Sequence, residues 1–358
     1  MEPGAGKIDI HVRCFAVKEK LTLILSLKAE ESALQRLRAI CPAADLRVAP
    51  WIHQADQTLD PAIMKDADVL LCELPPANFD DFKQLKWIQL TSAGYNQVLS
   101  LPILERSIRV TNGLGNFDGP IAEWNILMML LWQRRLLEQL ANQKNKVWDP
   151  AARFQSDIYG STIGFWGYGG IARETTRLAK AMKMHAWVLT RDGKIRNRDS
   201  IYRVEGTGDP DGKLPDRVFG PSQVEEFLSG LDYLILGMAL TPATTGLIGE
   251  KELRLLKPSA VLINPTRAAI IQEQAFVRCL RENWIRGASV DVHYAYPLPR
   301  EHPLWEMPNL VMTPHISGSS ESPHFMTRLY DVFAQNLERF VTHQPLLNEL
   351  TSAQLQGK

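Results

Sequence analysis

The sequence predicts an α/β protein built on parallel, doubly wound sheets, and three observations carry that expectation. Short apolar runs alternate with helical stretches from Ile8 to near the C-terminus, the pattern of strands joined by crossover helices. The run Thr162–Trp166 leads into Gly167-Tyr168-Gly169-Gly170-Ile171-Ala172, which reads as a strand, a tight turn and a helix start. At 358 residues the chain has room for two domains, each with its own core.

Composition narrows the function. Lysine plus arginine and aspartate plus glutamate each number 40, so no net field favours nucleic acid, an anionic membrane or an acidic partner. A small molecule is the expected ligand. No apolar run reaches bilayer length, and the N-terminus MEPGAGKIDIHVR lacks the basic-then-apolar order of a signal peptide. Cys14, Cys41, Cys72 and Cys279 are scattered, which argues against a zinc site or a disulfide framework. The expectation is a cytoplasmic protein without a metal.

Taken in order, the runs IDIHVRCFAV, LTLIL and ADVLLCEL alternate with helical stretches such as AEESALQRLRAI. LKWIQL then ends in the small-residue turn Ser92-Ala93-Gly94, whose N–H groups either hold a carboxylate or simply lead from strand to helix. Turn formers fill Ser107–Pro120, where a domain crossing is placed, and IAEWNILMMLLWQRRLLEQL follows as one apolar helix. Its Trp124, Met128, Met129 and Trp132 are assigned to the core or a subunit interface. After the glycine turn a helix reaches about Met184, and the strand AWVLT ends at Thr190-Arg191-Asp192. Residues 199–222, dense in Gly, Pro and Asp, read as a long surface loop that covers a ligand or meets another subunit. Alternation resumes with LDYLILGMAL, AVLINP, GASVDV and NLVMT, and a helix over 322–341 follows.

The glycine turn suits a dinucleotide. Gly167 permits the turn, Gly169 lets the backbone approach a pyrophosphate, and Ala172 keeps helix and strand close, with Tyr168, Gly170 and Ile171 lining the same turn. An acidic residue at the end of the next strand usually grips the ribose of NAD; here Thr190 and Arg191 stand there instead. An arginine suits a 2′-phosphate, so NADP(H) is favoured over NAD(H), with Asp192 a second candidate for a ribose hydroxyl. Lys194, Arg196 and Arg198 are read as solvated loop charges.

In a doubly wound sheet, function collects at the carboxyl ends of the strands. AVLIN is followed by Pro265-Thr266-Arg267, GASV by Asp291-Val292-His293-Tyr294-Ala295-Tyr296, and NLVMT by Pro314-His315. Arg267 to hold a carboxylate or polarise a carbonyl, and His315 to exchange a proton beside a nicotinamide, make a site for hydride transfer. Taken singly, Arg267 also fits a structural ion pair and His315 a helix cap. Their occurrence at successive strand ends favours chemistry.

In these segments the chain resembles the D-isomer-specific 2-hydroxyacid dehydrogenases. LTSAGYNQV, NGLGNFDGPIAEW, GFWGYGGIA, LINPTRAAI, GASVDV and TPHISGSS fall in that family's order along nearly the whole length. The resemblance implies two Rossmann-like domains: a central nicotinamide-binding domain over 121–315 and a smaller flavodoxin-like substrate domain from 1–120 and 316–358. It implies Arg267 as the substrate-binding arginine, His315 as acid/base, and Ser92, Ala93 and Gly94 as the amides that take the substrate carboxylate. It also implies Asp291 beside the nicotinamide carboxamide and a small-domain side chain in the substrate pocket, where Trp51 falls; a buried tryptophan is the alternative. A homodimer is expected.

One position departs from the family. Most members carry a glutamate before the proline that follows the GASVDV-like strand, and here Tyr296 precedes Pro297. A carboxylate stabilises an imidazolium whereas a phenol supplies no charge, so His315 is expected to titrate lower, with Tyr296 holding the ring by a hydrogen bond. The leading reading is a reductase of small 2-oxoacids such as glyoxylate or hydroxypyruvate. The missing glutamate leaves a second, a dinucleotide-sensing or partner-binding protein on the same fold. PREHPLWEMPN with TPHISGSS is also similar to formate dehydrogenases, although Phe117 stands where they carry an asparagine, next to Asn116.

Overall fold

A computed structural model describes residues 20–356; the run IDIHVRCFAV and Cys14 lie outside them. The described residues form two compact units, one holding the chain up to Asn116, Ser200–Tyr202 and the residues from Ser322 onward, the other Phe117–Asp199 and Arg203–Glu321. These borders lie a few residues from those expected at 120 and 316. Turn formers suggested the first of these positions, whereas the Asn116 carbonyl is fixed in the first unit by Arg328 Nε–H at 2.7 Å.

In the first unit, β1 (Thr22–Ser26), β2 (Asp45–Val48), β3 (Val69–Cys72), β4 (Trp87–Leu90) and β5 (Arg109–Thr111) make a parallel sheet in the order β2-β1-β3-β4-β5. This is the flavodoxin order. β1, β3 and β4 are buried throughout, which is why apolar residues dominate them, with Gln89 a buried polar residue in β4. Helix Pro323–Val341, started by the Ser322 cap and Pro323, comes from the far end of the chain. Its Phe333 and Phe340 stack on Trp87 with ring centroids 5.2 and 5.4 Å away. Ser200–Tyr202 joins this unit because Asn348 holds it: the Asn348 N–H donates to the Ser200 carbonyl and the Tyr202 N–H to Asn348 Oδ1, both at 2.9 Å.

In the second unit, β6 (Thr162–Trp166), β7 (His185–Leu189), β8 (Arg217–Phe219), β9 (Tyr233–Leu236), β10 (Val261–Asn264), β11 (Gly287–Val290) and β12 (Leu310–Met312) are all parallel. Their order is β12-β11-β10-β9-β6-β7-β8. Strand order reverses between β6 and β9, so the glycine turn after β6 opens at the switch point where such sheets bind ligands. Helices Asp118–Gln133 and Gly170–Ala181 pack on one another, with Asn125 Nδ2–H bonded to Thr175 Oγ1 at 3.1 Å. Trp124, Met128, Met129 and Trp132 are all buried there, and the Trp132 indole donates to Ser289 Oγ at 2.9 Å. That stripe is core. The single helix expected from 121 to 140 is broken, because apolar periodicity lapses at Gln133-Arg134-Arg135 and Arg135 turns left-handed at φ 50°. The chain restarts as Leu136–Lys144, a helix with no buried residue. No helix among the described residues is long and apolar enough to cross a membrane.

Candidate active site

The glycine turn is built for close approach. Gly167 has φ 94°, and a Cβ on it would meet the Gly237 backbone at 2.9 Å, so any side chain there is excluded twice. Helix Gly170–Ala181 makes its first backbone bond from Arg173 N–H to the Gly169 carbonyl, 3.0 Å. The N–H groups of Gly169, Gly170 and Ile171 donate to nothing among the described residues, which leaves a ready anion cradle. Tyr168 turns away from it. Its hydroxyl donates to Asp209 at 2.7 Å, and the Arg173 guanidinium lies 5.0 Å from its ring centroid. At the end of β7 the Thr190 hydroxyl is buried without a partner. Arg191 is exposed and makes no hydrogen bond or ion pair among the described residues. Asp192 instead accepts from Arg196 at 2.6 Å, which holds its carboxyl below the usual range. Unpaired N–H groups followed by an orphan hydroxyl and an unengaged guanidinium fit a dinucleotide.

The segment expected to be a surface loop from 199 to 222 is only partly one. Residues Arg217–Phe219 form the edge strand β8, while Tyr202 and Asp209 are buried. Asp209 is the anchor. Its carboxylate accepts from the Tyr168 hydroxyl and from the N–H groups of Lys213 and Leu214 at 2.7, 3.0 and 3.1 Å. Its carbonyl accepts from Arg173 Nη1, and Arg173 Nη2 donates to the Arg196 carbonyl at 2.6 Å. The segment therefore folds back on the helix of the glycine turn. Lys194 and Arg196 are exposed, but the reading of Arg198 as a solvated charge is corrected: Arg198 Nη1 lies 3.1 Å from where a Cβ on Gly169 would sit. From the other side the Asp118 carboxylate presses on Gly170, where a Cβ would collide with it.

Two strand-end turns carry the expected catalytic pair, and each is held by a buried side chain at a strand end, its own strand's for Arg267 and the neighbouring strand's for His315. After β10, Asn264 Oδ1 accepts from the Thr266 N–H and hydroxyl at 3.1 and 3.0 Å, while its amide donates to the Arg267 carbonyl at 2.9 Å. The Arg267 side chain is left exposed at the tip, where its Nη1 donates to the Thr266 carbonyl at 2.7 Å. After β11, Asp291 is 0% exposed, and its carboxylate takes four donors from the turn beyond β12. These are the Thr313 hydroxyl at 2.5 Å, the Ile316 and Ser317 N–H groups at 2.9 Å and the Ser317 hydroxyl at 2.5 Å. The turn thus closes around Pro314 and presents His315, whose φ of 59° is left-handed. Asn264 was not singled out from sequence; an asparagine ending an apolar strand before a proline was the available signal.

Tyr296 meets His315 ring to ring, with centroids 5.5 Å apart. Its hydroxyl does not bond the imidazole as expected but accepts from the His293 N–H at 3.1 Å. His293 Nε2 bonds the Thr313 carbonyl at 2.9 Å, so this ring too braces the His315 turn. Desolvation pushes His315 below the ordinary imidazole value; Asp291 opposes that, and the charges of Arg267 and His293 add to it.

In the first unit, the Ser92 hydroxyl donates to the Gly94 carbonyl at 2.8 Å, and Gln97 donates to Ser92 Oγ at 2.9 Å. The Ala93 carbonyl is held by Asn112 at 2.8 Å. The N–H groups of Ser92, Ala93 and Gly94 donate to nothing among the described residues. Trp51 is exposed rather than core, with its indole N–H on Glu73 at 2.8 Å.

Residues 126–317 match the family model described as D-isomer specific 2-hydroxyacid dehydrogenase, NAD binding domain. A glyoxylate reductase of Thermofilum pendens is 29% identical over 315 residues, 86% of this chain and 87% of that protein. A D-isomer specific 2-hydroxyacid dehydrogenase family protein from Aeromonas salmonicida shares the fold, with a TM-score of 0.75 and 24% identity over 93% of this chain and 99% of that one. So does a D-isomer specific 2-hydroxyacid dehydrogenase from Xanthobacter autotrophicus, solved with NADPH and MES, at TM-score 0.73 and 21% identity over 94% and 100% of the two chains.

Proposed function

Since the chain belongs to the D-isomer specific 2-hydroxyacid dehydrogenase family and is therefore an NAD(P)-dependent oxidoreductase, we propose that it reduces a small 2-oxoacid of the glyoxylate or hydroxypyruvate kind. The observation that carries this reading is the pair of braced turns in one unit, with Arg267 at one tip and His315 at the other. His315 donates its imidazolium proton to the C2 oxygen as that oxygen gains charge, and Arg267 holds the oxygen or the acid group. Bound NAD(P)H supplies the hydride. The free amides of Ser92, Ala93 and Gly94 suit the substrate carboxylate, and Trp51 suits the edge of the substrate pocket. Asp291 acts first on the His315 turn; a nicotinamide carboxamide reaching it would displace one of its four donors. Tyr296 sets the His315 environment through its ring.

NADPH is the preferred reductant in this reading. Arg191 is unengaged, whereas Asp192, the residue that would favour a bare ribose, is occupied by Arg196. The protein acts as a homodimer, for which the apolar side chains exposed between Leu127 and Tyr159 provide the face. Cys72 and Cys279 are buried free thiols, in keeping with a reducing cytoplasm.

The test is to follow reduced-nicotinamide absorbance with NADPH or NADH and a panel of 2-oxoacids. Turnover of at least one small oxoacid is expected, with His315→Ala and Arg267→Ala each lowering kcat/KM by roughly a hundredfold or more. Nucleotide binding without turnover across the panel would put a dinucleotide sensor in place of the enzyme. Formate oxidation in place of oxoacid reduction would point to the formate dehydrogenase branch.

A further inference from the structure

The guanidinium of Arg198 has no assigned task, and its position is unusual. Nη1 lies 3.1 Å from the Cβ position of Gly169, the residue that caps the helix of the glycine turn. The head makes no hydrogen bond or ion pair among the described residues. Asp118 attracts it and Arg173 repels it, but neither is within ion-pair reach, and burial lowers its pKa from the ordinary arginine value. A partly buried cation without a partner costs free energy, so the native fold keeps it there against a penalty that an anion would remove.

The backbone that carries Arg198 is well fixed. Arg173 grips the Arg196 carbonyl at 2.6 Å, and Asn197 and Asp199 close on one another through bonds of 2.6 and 2.7 Å. Arg173 itself is not available, since both its terminal nitrogens are engaged with backbone carbonyls. What remains over the turn is a set of free N–H groups below and one unengaged guanidinium above.

We propose that Arg198 is a cofactor-positioning residue, delivered by the 191–216 segment to pair with the pyrophosphate of the bound nicotinamide dinucleotide. The assignment rests on the reading of the turn as the dinucleotide site. It differs in kind from that of Arg191: the pyrophosphate is common to NADH and NADPH, while the 2′-phosphate belongs to NADPH alone.

Equilibrium binding of NADPH and of NADH, followed by calorimetry or nicotinamide fluorescence, separates the two roles. Arg198→Met is expected to weaken both nucleotides by the same factor, about tenfold or more, the scale of a charge-assisted bond lost. Arg198→Lys should recover part of both, Arg191→Ala should weaken NADPH only, and the melting temperature of nucleotide-free Arg198→Met should be no lower than that of the wild type. Wild-type affinities in Arg198→Met would overturn the Arg198 assignment and leave the site intact. A loss confined to NADPH, or a nucleotide-free melting temperature lowered in Arg198→Met and Arg198→Lys alike, would also overturn it. Failure of the wild type to bind either nucleotide would remove the dinucleotide reading of the turn, and Arg198 with it.

Discussion

At Tyr296 one side chain changes the electrostatics of the proposed proton donor. The substitution was visible in sequence, because the proline that marks the position follows a recognisable strand. What Tyr296 does was not visible, since its hydroxyl finds the His293 N–H only once the chain has turned back on itself. With no carboxylate in the glutamate's place, desolvation dominates and His315 lies below its usual value of 6.5. Reduction needs the imidazolium, whose population falls tenfold per pH unit above the pKa. The rate is therefore expected to decline from a pH lower than an ordinary histidine would give. Tyr296→Glu places a carboxylate beside the ring, favours the charged form and should move that decline up by about one pH unit. Superimposable kcat/KM profiles for the two proteins would show that position 296 does not act through the His315 pKa.

Among the elements, what sequence revealed follows the range of the forces involved. β9, β10 and β11 were legible because buried parallel strands are continuous apolar runs, and their ends could be searched for chemistry. β8 was missed because it has three residues, two of them exposed. The long segment announced itself by Gly, Pro and Asp, but nothing local distinguishes Asp209 from its exposed neighbour Asp211. Only the Tyr168 and Arg173 side chains, supplied by another element, make it an anchor. Asp209→Ala leaves the Lys213 and Leu214 N–H groups and the Tyr168 hydroxyl without an acceptor, and is expected to cost about 2 kcal/mol in denaturant unfolding. Limited proteolysis should at the same time cut faster between 203 and 216. Unchanged stability and unchanged cutting would mean that the segment is held by other contacts.

For the whole molecule, the alternation of strands and helices was enough to predict doubly wound sheets, but not which parts of the chain share one. That Trp87 packs on Phe333 and Phe340 has no local signature, and the joining of the two chain ends was reached only through the family resemblance. The inclusion of Ser200–Tyr202 in the first unit was reached by neither, as it depends on Asn348 bonds made late in the chain. Association is the property of the molecule most open to test. Leu127, Leu136, Leu140, Val147 and Tyr159 are exposed along one stretch of the second unit, and Trp148 is 93% exposed. Helix Leu136–Lys144 has no buried residue, and its Leu136, Leu137 and Leu140 stay 39, 39 and 51% exposed. A second copy covering this face would recover roughly 25 cal/mol for each Å² of apolar surface removed from water. Sedimentation equilibrium at micromolar concentration is expected to give twice the chain mass of 40.4 kDa for the wild type. Trp148→Ser combined with Leu140→Glu, which places a charge in that face without touching the core, should shift the protein to the monomer at the same concentration. A wild type that sediments as a monomer, or a double variant that stays dimeric, would move the interface elsewhere or remove it.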